Sequence, residues 1–127
     1  MKTVCVIPYD SVSASILLAV QPEGHWNALR GEISDTENAD TAAVRVLQDK
    51  MALTAEKLTA VCQIHREGND TTVYLAHCNI YTKHQRTAEI PIIVKANCNW
   101  QREPVYDYLK WLIPFTFCPE RPERVTT

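Results

Sequence analysis

The sequence predicts an α/β (α+β) fold in which a mixed sheet lies between helices. Three observations lead there. Short β-branched, apolar runs occur both before and after a central segment. That central segment carries its apolar residues at helical spacing. A second helical segment follows the last strand-like run, so sheet and helices have to pack as layers.

The elements follow in order. Residues 3–8 are apolar and β-branched and read as a strand stopped by Pro8, and residues 14–20 make a second one after a short turn. Pro22 and Gly24 open a segment that runs through Trp26 to Asp35 with little periodicity and reads as a long loop. From Asn38, a good N-cap, the residues Ala39, Ala42, Ala43, Val46, Leu47 and Met51 recur on one helical face, which predicts a helix to about Ala52. Residues 57–66 and 71–81 read as strands around the turn Glu67-Gly68-Asn69-Asp70. Ile90 to Val94 is a short strand, and Pro91 assigns it to an edge. Glu103-Pro104 is expected to start the last helix, with Val105, Leu109 and Leu112 on one face and Pro114 ending it. One domain over residues 1–118 is expected, followed by a loose polar tail over 119–127.

Composition narrows the function classes. Hydrophobic residues make up 46%, enough for a core, and the formal charge of −2 excludes the broad basic surface that duplex nucleic acid requires. The five cysteines are widely spaced with no Cys-x-x-Cys pair, so they read as reduced, mostly buried side chains of a cytoplasmic protein rather than as a zinc site or disulfide framework. The histidines His25, His65, His77 and His84 show no metal spacing. No segment approaches the ~20 apolar residues of a membrane span, and no signal peptide is legible.

Residues 26–53 carry a longer pattern. Gly31 is followed after five residues by Glu37, and after seven more by Arg45, then Val46-Leu47-Gln48-Asp49-Lys50-Met51-Ala52-Leu53, with Trp26 ahead of the glycine. This resembles the signature G-x5-E-x7-R-E-U-x-E-E-x-G-U of the Nudix (MutT-like) family, where U is a bulky aliphatic residue. The resemblance implies a Nudix-type α/β/α sandwich over nearly the whole chain. It also implies that Gly31, Glu37 and Arg45 are structural positions of the box, the arginine orienting loop and helix.

The departures bear on chemistry. The family holds its metal mainly with carboxylates at the positions that are Val46, Asp49 and Lys50 here. Spacing i, i+3, i+4 puts the three on one helical face, where they can converge on an ion. Magnesium needs hard oxygen ligands in near-octahedral geometry. One carboxylate is kept, one gives way to an aliphatic side chain and one to a cation. Ala52 replaces the glycine that ends the helix, and Leu29 and Arg30 replace a proline and a glycine of the lead-in. The resemblance therefore implies a degenerate box with no metal or only weak Mg2+, held by Asp49.

Several residues keep two readings. Lys50 stands either where it can hold a ligand phosphate or as a solvated helix lysine. Arg30 is a phosphate-facing or simply exposed loop arginine, and Trp26 a ligand-stacking or core aromatic. Glu89, ahead of the late strand, is the candidate for the additional acid that many family members place there. The functional expectation is a catalytically weak or inactive module, a pseudoenzyme, binding a nucleoside diphosphate-linked ligand or a protein partner. The alternative is an active hydrolase of a nucleoside diphosphate linked to X, with catalytic Asp49 and Glu89. A third reading is a purely structural or interaction protein that has kept the fold alone; a homodimer is compatible with each.

Overall fold

The computed structural model describes residues 1–81 and 89–117. In chain order the elements are β1 (Lys2–Asp10), β2 (Ser15–Val20), β3 (Trp26–Asn27), β4 (Leu29–Glu32), α1 (Ala39–Met51), β5 (Lys57–Arg66), β6 (Asn69–His77), β7 (Ile90–Lys95), a 3-10 turn (Trp100–Arg102) and α2 (Asp107–Thr116). The strands form one mixed sheet with the path β3-β2-β1-β6-β5, β4 joined to β1 and β7 to β2. β1 and β6 run parallel from Lys2↔Asp70 to Tyr9↔His77, and the other pairings are antiparallel.

Alternation along the strands sends side chains to opposite faces. Val4 and Val6 of β1 lie in the core that covers α1, together with Leu17, Leu29, Ala43, Val46 and Leu47. Cys5 and Ile7 lie in the core beneath α2, with Ile16, Leu18, Val73, Leu109 and Leu112. The helices thus sit on the two faces of the sheet, which is the α/β/α layering the sequence predicts. Neither helix is long and apolar enough to cross a membrane.

Five expectations need correction. The segment from Trp26 to Glu32 is not a loop. β1 pairs with β2 only at Tyr9 and Asp10, its first half pairs with β4, and the end of β2 pairs with β3. The chain is therefore wedged between β1 and β2 where they diverge. Pro8 does not stop the first strand, which runs on to Asp10. Ile7 and Pro8 pair with β6 but with neither β4 nor β2, so a missing N–H at this handover removes no ladder bond.

The second hairpin strand spans Asn69–His77 rather than 71–81. Its turn is reduced to Glu67 and Gly68, at φ 41° and 82°, the left-handed pair of a tight hairpin, with Arg66 opposite Asn69. At the far end the Asn79 side chain accepts from the N–H of Tyr81 at 3.0 Å and turns the chain out of the sheet.

The last helix starts at Asp107, because Glu103 to Tyr106 is held extended against β3. The N–H of Trp26 donates to the carbonyl of Pro104 at 2.7 Å, and Val105 bridges Trp26. Pro114 lies inside that helix and does not end it. The carbonyl of Lys110, which would have accepted from the N–H that proline lacks, accepts instead from Gln101 Nε2 at 3.2 Å. β7 pairs only with β2 among the described strands, consistent with an edge position for Pro91. The expected tail, Cys118 and His84 lie outside the described residues.

Candidate functional site

α1 begins where the Asn38 side chain accepts from the N–H of Thr41 at 2.8 Å. Tyr74, buried on β6, donates to the Asp40 carboxylate in the helix's first turn, and that contact and burial hold its hydroxyl protonated, its pKa raised. At the other end Ala52 is left-handed, φ 54°, and its N–H returns to the carbonyl of Gln48 at 2.8 Å. A glycine would take this conformation without strain.

Glu37 and Arg45 are brought together. Arg45 grips both carboxylate oxygens, Nη2 to Oε1 at 2.6 Å and Nε to Oε2 at 3.2 Å, and donates from Nη2 to the carbonyl of Glu32 at 2.7 Å. The N–H of Ser34 donates to the same carboxylate at 3.0 Å. The pair ties the end of β4, the following loop and α1 into one unit. The guanidinium first, then the Ser34 amide, lowers the Glu37 pKa to about 2.

Gly31 meets Val46. A Cβ built on Gly31 would come within 2.5 Å of Val46 Cγ2. Val46 is 1% exposed and belongs to the α1-side core. The position that the resemblance assigns to a metal carboxylate is thus packed shut by an aliphatic side chain against the glycine of the box.

Asp49 and Glu89 lie beside different cations. Asp49 is 63% exposed, with Oδ2 3.9 Å from Arg45 Nη1. Lys50 extends to Glu89 instead, Nζ to Oε1 at 3.3 Å, with the two side chains 41% and 23% exposed. Asp49 is therefore not the partner of Lys50, and each remaining carboxylate lies beside a different cation. Among the described residues no three His, Cys, Asp or Glu side chains gather at ion-binding distance. The donor set does not fit the magnesium that the fold implies.

Trp26 and Arg30 belong to the opposite face of the sheet from Lys50. Trp26 packs, partly buried, against the α2-side core. Arg30, opposite Cys5 across β1 and β4, has its Cζ 5.5 Å from the centroid of the Tyr108 ring, and Nη2 lies 3.5 Å from Thr71 Oγ1. Arg30 and Tyr108 line a pocket of about 140 Å³ that also takes in Arg66 and Thr71. Arg66 and Tyr108 carry no signature in the sequence. Alternation along residues 62, 64 and 66 would have assigned Arg66 to a face, but only strand pairing and the position of α2 place it near Arg30. Of the other aromatics, Trp100 and Tyr74 are buried, with Trp100 Nε1 donating to the carbonyl of Ala96 at 2.9 Å.

The layers and sheet order define the class: a mixed sheet between two helices, an α/β/α sandwich. A solved structure from a study of MutT from the fish pathogen Aliivibrio salmonicida and from Vibrio cholerae superposes with a TM-score of 0.71 at 15% identity, covering 89% of this chain and 94% of that one. The similarity shows the fold. No protein-family model matches the chain, and no curated protein does.

Proposed function

We propose that this chain is a Nudix-fold binding module, which takes a nucleoside diphosphate-linked ligand without hydrolysing it through a metal on α1. The observation that carries the reading is the Lys50–Glu89 ion pair at 3.3 Å. A cation from the helix lies beside the acid that the resemblance offers to an ion, and Val46 is removed into the core. The Lys50 ammonium stands at a position that the resemblance gives to a metal carboxylate, with its charge met by Glu89. Because the pair is partly exposed, it contributes little to stability, on the order of 0–1 kcal/mol, and a ligand phosphate can compete for the ammonium.

The test is calorimetric titration of Mg2+ into the unmodified protein and into Lys50→Glu, alongside hydrolysis of ADP-ribose and related nucleoside diphosphate compounds. The unmodified protein is expected to give no magnesium heat and no turnover above buffer. Lys50→Glu places a carboxylate near Glu89 and Asp49 and is expected to gain measurable magnesium binding. Magnesium-dependent turnover in the unmodified protein that is lost in Asp49→Ala or Glu89→Gln would establish the hydrolase alternative and end this reading.

A further inference from the structure

We infer that the α2 face of the sheet carries an anion site, formed by Arg30, Arg66 and Tyr108, that takes the phosphate of a small phosphomonoester bearing an aromatic ring. The inference goes beyond the reading at Lys50, on the other face of the sheet, and rests on that reading for the nucleotide character of the ligand alone.

Pairing across the sheet builds the floor. Arg30 lies opposite Cys5, Cys5 opposite Val73 and Ile64 opposite Thr71, so four strands contribute to one concavity, and Tyr108 of α2 stands over it. Two guanidinium groups line this pocket and no carboxylate does. Among the described residues, the ion pairs involve Arg45, Lys50 and His65, and none involves Arg30 or Arg66. Arg30 contacts Tyr108 by hydrogen bond and over its ring, and reaches Thr71 at a long 3.5 Å, with no carboxylate among these partners. Burial pushes the Cys5 thiol up to about 11, and Tyr108, donating to Asn27 Oδ1, is likewise held protonated. Neither offsets the two positive charges. Planar forks carrying several N–H donors suit a phosphate dianion better than a single carboxylate.

Size decides how much of the ligand enters. At about 140 Å³ the pocket is well below the roughly 300–1,000 Å³ typical of whole-ligand sites, so it admits a head group only. It adjoins an open groove of about 620 Å³ that shares Arg66 and Tyr108 and adds His25, Val105, Tyr106, Trp111 and one carboxylate, Asp107, so the phosphate belongs in the smaller pocket and the uncharged ring in the groove. Trp111 is 47% exposed. A ring attached to the phosphate would lie there against aromatic side chains.

The experiment is an amide-resolved NMR titration of the full chain with AMP, inorganic phosphate and adenosine, in EDTA. AMP is expected to shift the amides of Arg30, Thr71, Arg66 and Tyr108, with phosphate shifting a subset of them. Adenosine should bind at least about tenfold more weakly than AMP, the scale of one lost charge-assisted contact. Arg66→Glu and Arg30→Gln should each weaken AMP by about tenfold or more with the thermal midpoint retained, and Arg30→Lys should recover part of the loss. Equal affinity for adenosine, shifts confined to α1, unchanged affinity in both arginine variants, or no binding of either anion at millimolar concentration would each overturn the inference. Hydrolysis of ADP-ribose-type compounds is scored separately on EDTA-free protein with magnesium, so failure of the functional reading is distinguishable from failure of the arginine site.

Discussion

Replacing Gly31 by alanine tests how the box is packed. The added methyl would sit 2.5 Å from Val46 Cγ2, where ordinary carbon contacts are about 3.5–4.0 Å, so roughly 1 Å of movement is needed. Val46 is buried and β-branched, with one strongly preferred rotamer in a helix, so it cannot swing aside. The strain therefore falls on the spacing between β4 and α1. Overpacking of this kind costs ~1–3 kcal/mol, and reduced backbone freedom of the unfolded chain returns ~0.4–1 kcal/mol. A net loss of about 1–2 kcal/mol is expected.

Val46→Ala alone removes two methyl-sized groups, about 1.6 kcal/mol of transfer free energy before any cavity term. In the double variant the alanine at position 31 moves into the space that Val46 leaves. The pair should then be less destabilised than the sum of the single changes by ~1–2 kcal/mol. Urea unfolding followed by far-UV circular dichroism measures all three variants at constant m. Additivity within ~0.5 kcal/mol would refute the contact, and with it the account of why this glycine is required.

Two further outcomes follow from the ends of the box. Because the Glu37 pKa is depressed to about 2 from 4.5, its pairing with Arg45 stabilises the fold fully above the ordinary carboxylate range, and this is lost as pH falls towards 2. Glu37→Gln should therefore lower the thermal midpoint at neutral pH, and the gap to the unmodified protein should close as the solution is acidified from about pH 5; a gap independent of pH would contradict this. Ala52→Gly relieves a left-handed alanine at φ 54° and should raise stability by up to ~1 kcal/mol in the same urea assay, whereas a loss would show that the turn is not strained.

The site was legible in proportion to how local its interactions are. Asn38, Val46 and Leu47 could be placed from spacing, because capping and helical periodicity act within a few residues; Glu37 and Arg45 were singled out by the resemblance, and their pair spans only one loop and the start of one helix. Trp26 and Arg30 could not. Their neighbourhood was read as loop because β3 and β4 are short and gain their order from β1 and β2 on either side. Glu89 and Lys50 were each singled out, but their pairing joins residues on opposite sides of β5 and β6 in the chain, and nothing in either segment announces it.

What the sequence determined by itself is the periodicity of α1, its N-cap, the strand character of β1 and the turn at Gly68. Each depends on dihedral preference or on side chains one turn or one pleat apart. The tertiary structure alone decided where 26–32 inserts, that Glu103–Tyr106 is extended rather than helical, which cation lies beside which acid, and that Arg66 and Tyr108 meet Arg30. The physical reason is that strand pairing and ion pairing join residues distant in sequence. A one-residue change of register would send Arg30 and Cys5 to the α1 face and dissolve the pocket, although the sequence itself would be unchanged.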